Sequence, residues 1–240
     1  MMPRIETLTV GGSPMEVFLY EPAGTGPTPA IVLAMHIPGH DGIEKDEFTL
    51  KTAERLAEAG YVVAVPFIFH WWPKSEARDL KNREFRDDWT IADLTVTMDL
   101  LQGMERVDPA RVGIVGHCWG GRVAWLGAAT DTRYRACVVF YGGRIRLAMA
   151  DQGIPAIERA GDIPCPVAGF FGNEDSNPSP EDVDIYEAAL EDAGVPHEFH
   201  RYDGAGHAFQ NFPSPERYCP AQSEDAWGKA LAFLGRELRP

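Results

Sequence analysis

Apolar and polar positions along the chain repeat with two periods, and their succession outlines a fold. Ile5 to Val10 and Met15 to Tyr20 alternate with period two around Gly11-Gly12-Ser13-Pro14, which predicts an antiparallel hairpin. Ala30 to Met35, Tyr61 to Phe67, Ala136 to Tyr141 and Val167 to Phe171 are continuous apolar runs, the pattern of strands buried on both faces. Helical periodicity covers Asp46 to Ala59, with Gly60 as its stop, then Ile91 to Met104, Pro180 to Ala193 and Ser223 to Leu238. Asp108-Pro109 turns the chain into a strand at Arg111, Glu198 to Tyr202 is the last strand, and Gly142 to Pro166 reads as irregular with a short helix. The strand-helix-strand order between Ala30 and Phe67 implies a right-handed parallel crossover. The expected architecture is an α/β domain spanning 1–240, with a mainly parallel central sheet and helices on both faces.

One stretch departs from simple periodicity. From Val112 an apolar run reaches Gly116-His117-Cys118-Trp119-Gly120-Gly121 and continues into an Ala-rich helical segment. Gly116-x-Cys118-x-Gly120 is a nucleophile-elbow pattern with cysteine at the centre. The central residue of such an elbow is strained, and glycines two places before and after it leave the room it needs. Cys118 would then sit at a helix N-terminus, where free N–H groups and the helix dipole favour a thiolate and an adjacent oxyanion.

Bulk properties restrict the partners. With 45% hydrophobic and 24% charged residues in 240, the composition is that of an ordinary globular protein. A formal charge of −14 without a basic run argues against nucleic acid or an anionic membrane as partner and favours a small molecule. No signal-like or membrane-spanning apolar stretch is present, so a cytoplasmic location is expected. Cys118, Cys137, Cys165 and Cys219 lie far apart, which argues against a zinc site or a disulfide framework.

A cysteine nucleophile needs a base, and the base an orienting group. Phe170-Phe171-Gly172-Asn173-Glu174-Asp175 ends a strand in carboxylates, and Gly204-Ala205-Gly206-His207 puts a histidine in a loop after the last strand. The order Cys118, Asp175, His207 is that of α/β-hydrolases, with Glu174 a rival acid and His200 a rival base. Between His70 and Trp89 the chain is aromatic and charged, with Trp71, Trp72, Arg78, Arg83 and Arg86. That stretch is read either as a helix whose aromatics cover the core or as a pocket wall, since loops after strands carry the sites of α/β folds.

These motifs, together with Gly206-His207-Ala208-Phe209 and the closing Ala226-Trp227 before Leu231-Ala232-Phe233-Leu234, resemble the dienelactone hydrolases (carboxymethylenebutenolidases), the cysteine-using branch of the α/β-hydrolase fold. The resemblance runs over nearly the whole chain. It implies Cys118 as nucleophile, His207 as base, Asp175 as its partner, and the backbone N–H groups of Trp119 and Ile37 as the oxyanion hole, with no metal or organic cofactor.

Two departures stand out. Where the family usually has a glutamate that interacts with the thiol, this chain has His36, which is read either as an imidazolium that would leave Cys118 more ionised at rest or as a hydrogen-bonded histidine in the pocket wall. An iodoacetamide rate that rises only above about pH 8 would contradict the imidazolium. The family's arginine a few residues beyond the catalytic histidine is replaced by Gln210 and Asn211. That leaves Arg78, Arg83 and Arg86 as cations, and His70, Trp71, Trp72 and Trp119 as a wall suited to a neutral, aromatic or apolar substrate. The expected activity is hydrolysis of a carboxylic ester, above all a lactone or enol-lactone. A broader carboxylesterase or thioesterase, or a non-catalytic or redox-responsive thiol protein, are the alternatives.

Overall fold

The computed structural model describes residues 1–149 and 153–239. Eight strands form one sheet in the order β1-β2-β4-β3-β5-β6-β7-β8: β1 Arg4–Val10, β2 Ser13–Tyr20, β3 Thr28–Ala34, β4 Val62–Pro66, β5 Val107–His117, β6 Tyr134–Phe140, β7 Val167–Gly172 and β8 His197–Tyr202. The hairpin β1–β2 is antiparallel and β2 meets β4 antiparallel, while every pairing from β4 to β8 is parallel. The helices are α1 Glu47–Glu58, α2 Arg78–Arg83, α3 Asp87–Gln102, α4 Trp119–Thr130, α5 Pro180–Asp192 and α6 Pro220–Leu238.

The two-sided burial that the apolar runs call for is met by α4 and α6, which both pack on β5 and β6. A side chain at Gly113 would run into Leu238 of α6, and one at Gly127 of α4 would run into Ile114. Because neighbouring strand residues point to opposite faces, α4 and α6 cover opposite faces of the sheet. Val112, Ile114 and Val115 of β5 are essentially buried, as are Val138, Val139 and Phe140 of β6.

Several boundaries differ from the sequence expectation. β5 begins at Val107, because Thr28 of β3 pairs with Val107 before a register shift restores Ala30 opposite Val112. Asp108-Pro109 is thus absorbed as an irregularity within the strand. α3 starts at Asp87, whose carboxylate is held by a buried arginine, and α6 starts at Pro220, a favourable first helical residue. Between Gly142 and Pro166 a 3-10 helix occupies Ala156–Asp162, and residues 150–152 of that stretch lie outside the described residues.

Candidate active site

The parallel strands end on one edge, and the loops leaving β3, β5, β7 and β8 carry the chemistry. At the end of β5, Cys118 has φ 54 and ψ −116, a conformation that a non-glycine residue holds only under constraint. Its amide donates to the Phe140 carbonyl at 2.9 Å, and its carbonyl accepts from the Gly121 amide at 3.0 Å. A Cβ at Gly116 would overlap the Gly120 carbonyl, and one at Gly120 would lie 2.6 Å from the Ala34 oxygen and 2.7 Å from the Met35 oxygen. The glycine spacing therefore permits both the sharp elbow and the close approach of α4 to the end of β3.

The acid and histidine loops are stapled to each other. Glu174 N–H donates to Ala205 O at 3.0 Å, Asn173 N–H donates to Tyr202 O at 2.9 Å, and a Cβ at Gly172 would collide with the Ala205 carbonyl. This places His207 Nδ1 at 2.8 Å from Asp175 Oδ2 and His207 Nε2 at 2.9 Å from Cys118 Sγ. Asp175 is buried and its other oxygen accepts from the Asn177 amide at 2.8 Å, which fixes the carboxylate. Glu174 is exposed, and His200 lies in β8 with its ring stacked on Phe170. Burial lowers the His207 pKa, but the hydrogen bonds and charges of Asp175 and Cys118 outweigh it and raise it from 6.5 to about 10. An imidazolium facing the sulfur is the favoured form.

Trp119 opens α4, where first-turn amides have no intrahelical partner. Ile37 follows β3 between two anchored neighbours: His36 N–H donates to Thr49 Oγ1 at 3.2 Å, and Pro38 O accepts from Arg78 Nε at 2.8 Å.

His36 is buried against Phe48, with ring centroids 4.4 Å apart, and its Nδ1 has no partner among the described residues. Burial drives its pKa down to about 3, with nearby His117, His207 and Arg217 acting in the same direction against the opposing pull of Asp46. His36 is therefore neutral at working pH, and the imidazolium expected beside the thiol does not form.

Other sequence candidates lie in separate contacts. His70 Nδ1 sits 2.9 Å from Ser13 Oγ and its Nε2 2.8 Å from Asp93 Oδ1, while Trp71 Nε1 donates to Asp93 Oδ2 at 3.1 Å. Trp71 also stacks on Trp89, and Trp72 packs against the same indole. His70 and Trp71 thus clamp the β1–β2 hairpin, whose Gly11 lies under the Trp71 ring, to α3. Arg83 and Arg86 line a different cleft with Trp89, and Arg86 pairs with Asp88 at 2.8 Å. Trp119 packs edge-on against Phe85.

Two residues near the triad were not singled out by sequence reasoning. Tyr141, at φ 38, sets its ring edge-on to His207 at 5.5 Å, and its buried hydroxyl has no partner among the described residues. Burial, together with the charges of Cys118 and Asp175, pushes its phenol well above the ordinary value. Arg217 lines a cleft of about 610 Å³ with His207, Asp175, Glu174 and Glu216. Its guanidinium lies 3.8 Å from Glu216. Among the described residues, no group of three or more His, Cys, Asp or Glu side chains is placed to hold a metal ion, and no helix is long and apolar enough to cross a membrane.

The family model of the dienelactone hydrolase family matches residues 15–238. The chain belongs to the dienelactone hydrolase family. A relative from Methylorubrum extorquens, named "Putative carboxymethylenebutenolidase", is 31% identical over 216 residues, covering 86% of this chain and 71% of its own. One of the same name from Synechocystis is 29% identical over 233 residues and is covered to 92%, as is this chain. The crystal structure of a dienelactone hydrolase from Klebsiella pneumoniae, so named provisionally, superposes with a TM-score of 0.82 at 25% identity, over 98% of this chain and 100% of that one. A dienelactone hydrolase-like promiscuous phosphotriesterase from metagenomic libraries shares the fold at the same TM-score and 18% identity. Dienelactone hydrolases have the α/β-hydrolase fold described above, and the protein is a hydrolase acting on esters.

Proposed function

We propose that this dienelactone hydrolase cleaves a neutral carboxylic ester, above all a lactone or enol-lactone, through a Cys118-His207-Asp175 triad and a thioester intermediate. The observation that carries the reading is His207, which bridges the Cys118 sulfur at 2.9 Å and the Asp175 carboxylate at 2.8 Å. With its proton already on His207, the Cys118 thiolate attacks the carbonyl carbon, and the carbonyl oxygen takes up the negative charge. Trp119 and Ile37 N–H groups receive that oxyanion, each donor being worth about 2.7–4 kcal/mol. Collapse expels the alkoxide, which takes the proton from His207 and, in a lactone, stays tethered to the acyl group. Water deprotonated by His207 then attacks the thioester, releasing the carboxylic acid and returning the proton to the sulfur.

The preference for a neutral substrate rests on charge. Arg217 is the one cation lining the cleft beside His207 among the described residues, and it shares that cleft with Glu174 and Glu216. The aromatic preference loses support from His70 and Trp71, which are engaged with Asp93.

The test is turnover of a neutral aryl ester, a neutral lactone and dienelactone by the intact protein and by Cys118→Ala. Turnover that the substitution abolishes, with the neutral compounds ahead, is the expected result. Equal activity in Cys118→Ala would overturn the triad, and a strong preference for the carboxylated lactone would overturn the charge argument.

A further inference from the structure

The segment from His36 to Gly42 joins β3 to α1 and is held at defined points. At its start, His36 N–H donates to Thr49 Oγ1, and that hydroxyl donates to Asp46 Oδ2 at 2.6 Å. Beyond Ile37, the Pro38 carbonyl accepts from Arg78 Nε at 2.8 Å. Gly39 has φ +64, and a Cβ there would lie 2.9 Å from Arg78 O and 2.8 Å from Asn82 Oδ1, so the loop backbone rests directly on α2. Next comes Lys81, whose side chain is 0% exposed. Its Nζ donates to His40 O at 3.3 Å and to Lys74 O at 2.9 Å, and lies 3.7 Å from Asp41 Oδ1. Lys74 is itself anchored on Glu16 of β2 and on Glu44. Burying a lysine is costly unless its amine is bonded, and here one bond goes to the backbone of the loop that carries Ile37 and the other to the segment before α2, so the amine ties the two together.

We infer that Lys81 is a positioning residue: from α2 it fixes the His36–Gly42 loop so that Ile37 N–H is aimed at the developing oxyanion. This rests on the reading of Ile37 as an oxyanion donor. Donors act by being fixed before charge develops, and a displacement of about 1 Å costs up to about 100-fold in rate.

The experiment compares the parent with Lys81→Met, Lys81→Arg and Arg78→Met. It reads kcat and KM for a neutral aryl ester, affinity for an aryl trifluoromethyl ketone, and the iodoacetamide rate. The ketone forms a hemithioketal oxyanion, whereas alkylation displaces iodide at a saturated carbon and forms none. Lys81→Met is expected to lower kcat about 10- to 100-fold with little change in KM, and to weaken the ketone by a similar factor. The iodoacetamide rate stays at the parent value, and Lys81→Arg recovers part of the loss. Arg78→Met, on an exposed side chain, shows a smaller loss of the same kind and decides the matter if Lys81→Met does not fold. Parent-like kcat and ketone affinity in Lys81→Met overturn the inference, as does a parallel fall in alkylation. Failure of the parent to turn over any ester instead overturns the proposed function.

Discussion

Asp175→Asn removes a buried charge at nearly constant shape. The carboxylate side chain is 1% exposed and bonds His207 Nδ1 at 2.8 Å, with a second anchor from Asn177 N–H. Taking charge centres about 4 Å apart and an effective dielectric of about 20, the attraction is about 4 kcal/mol, or about 3 in pKa. Partial solvent screening of the imidazole, which is 29% exposed, trims this to about 2. Since His207 is raised to about 10, the imidazolium persists in the parent until the pH approaches that value. In Asp175→Asn it is lost near pH 8 instead, by the same estimate. The pH profile of kcat/KM for a neutral aryl ester between pH 5 and 11 should show the alkaline limb moving down. The rate at pH 7 should also fall by up to about 10⁴-fold, the cost of the equivalent change in a Ser-His-Asp triad. Stability follows the same sign: a raised histidine contributes fully below its unfolded value of about 6.5 and loses that contribution as pH rises towards 10. An unchanged alkaline limb in Asp175→Asn, or a rate within about tenfold of the parent, would refute the assignment of Asp175 as the partner that charges His207.

Two further outcomes follow from buried polar groups. His36→Glu sets a carboxylate where a neutral imidazole now packs near His207, and should slow iodoacetamide alkylation at pH 7 about tenfold, with His36→Gln close to the parent; equal rates in the two variants would show that this position does not sense the thiol. Arg122 is fully buried and grips Asp87 at 2.6 and 2.8 Å. Arg122→Met strands that carboxylate, so thermal unfolding should show a loss of about 3–5 kcal/mol and a Tm lower by about 10 °C, and a Tm within about 2 °C would contradict the structural role.

Local pattern carried the sheet far because burial on both faces demands continuous apolar strands, and β3, β4, β6 and β7 all have them. The elbow was legible for a steric reason, since neither Gly116 nor Gly120 has room for a side chain. Asp175 and His207 could be nominated because each closes a loop after its own strand, and the resemblance favoured Asp175 over Glu174; the Ala205–Glu174 staple that orients the acid loop was not legible in the sequence. For His70 and Trp71 the sequence left packing and a pocket wall as alternatives, because Ser13 and Asp93, which hold them, are 57 and 23 residues from His70. The short helix α2 and the role of Lys81 depend on carbonyls at His40 and Lys74, which no periodicity announces. Arg217 lies in an exposed Pro-rich stretch without local signal, and reaches the His207 cleft only through the path of the chain before α6.

The central claim is that Cys118 carries the acyl group, and intact-mass spectrometry of the protein quenched in acid during turnover of a neutral aryl ester tests it most directly. The account predicts one added acyl mass, mapped to the peptide containing Cys118, released by hydroxylamine and absent in Cys118→Ala. An adduct on another residue, or steady turnover in Cys118→Ala, would contradict it.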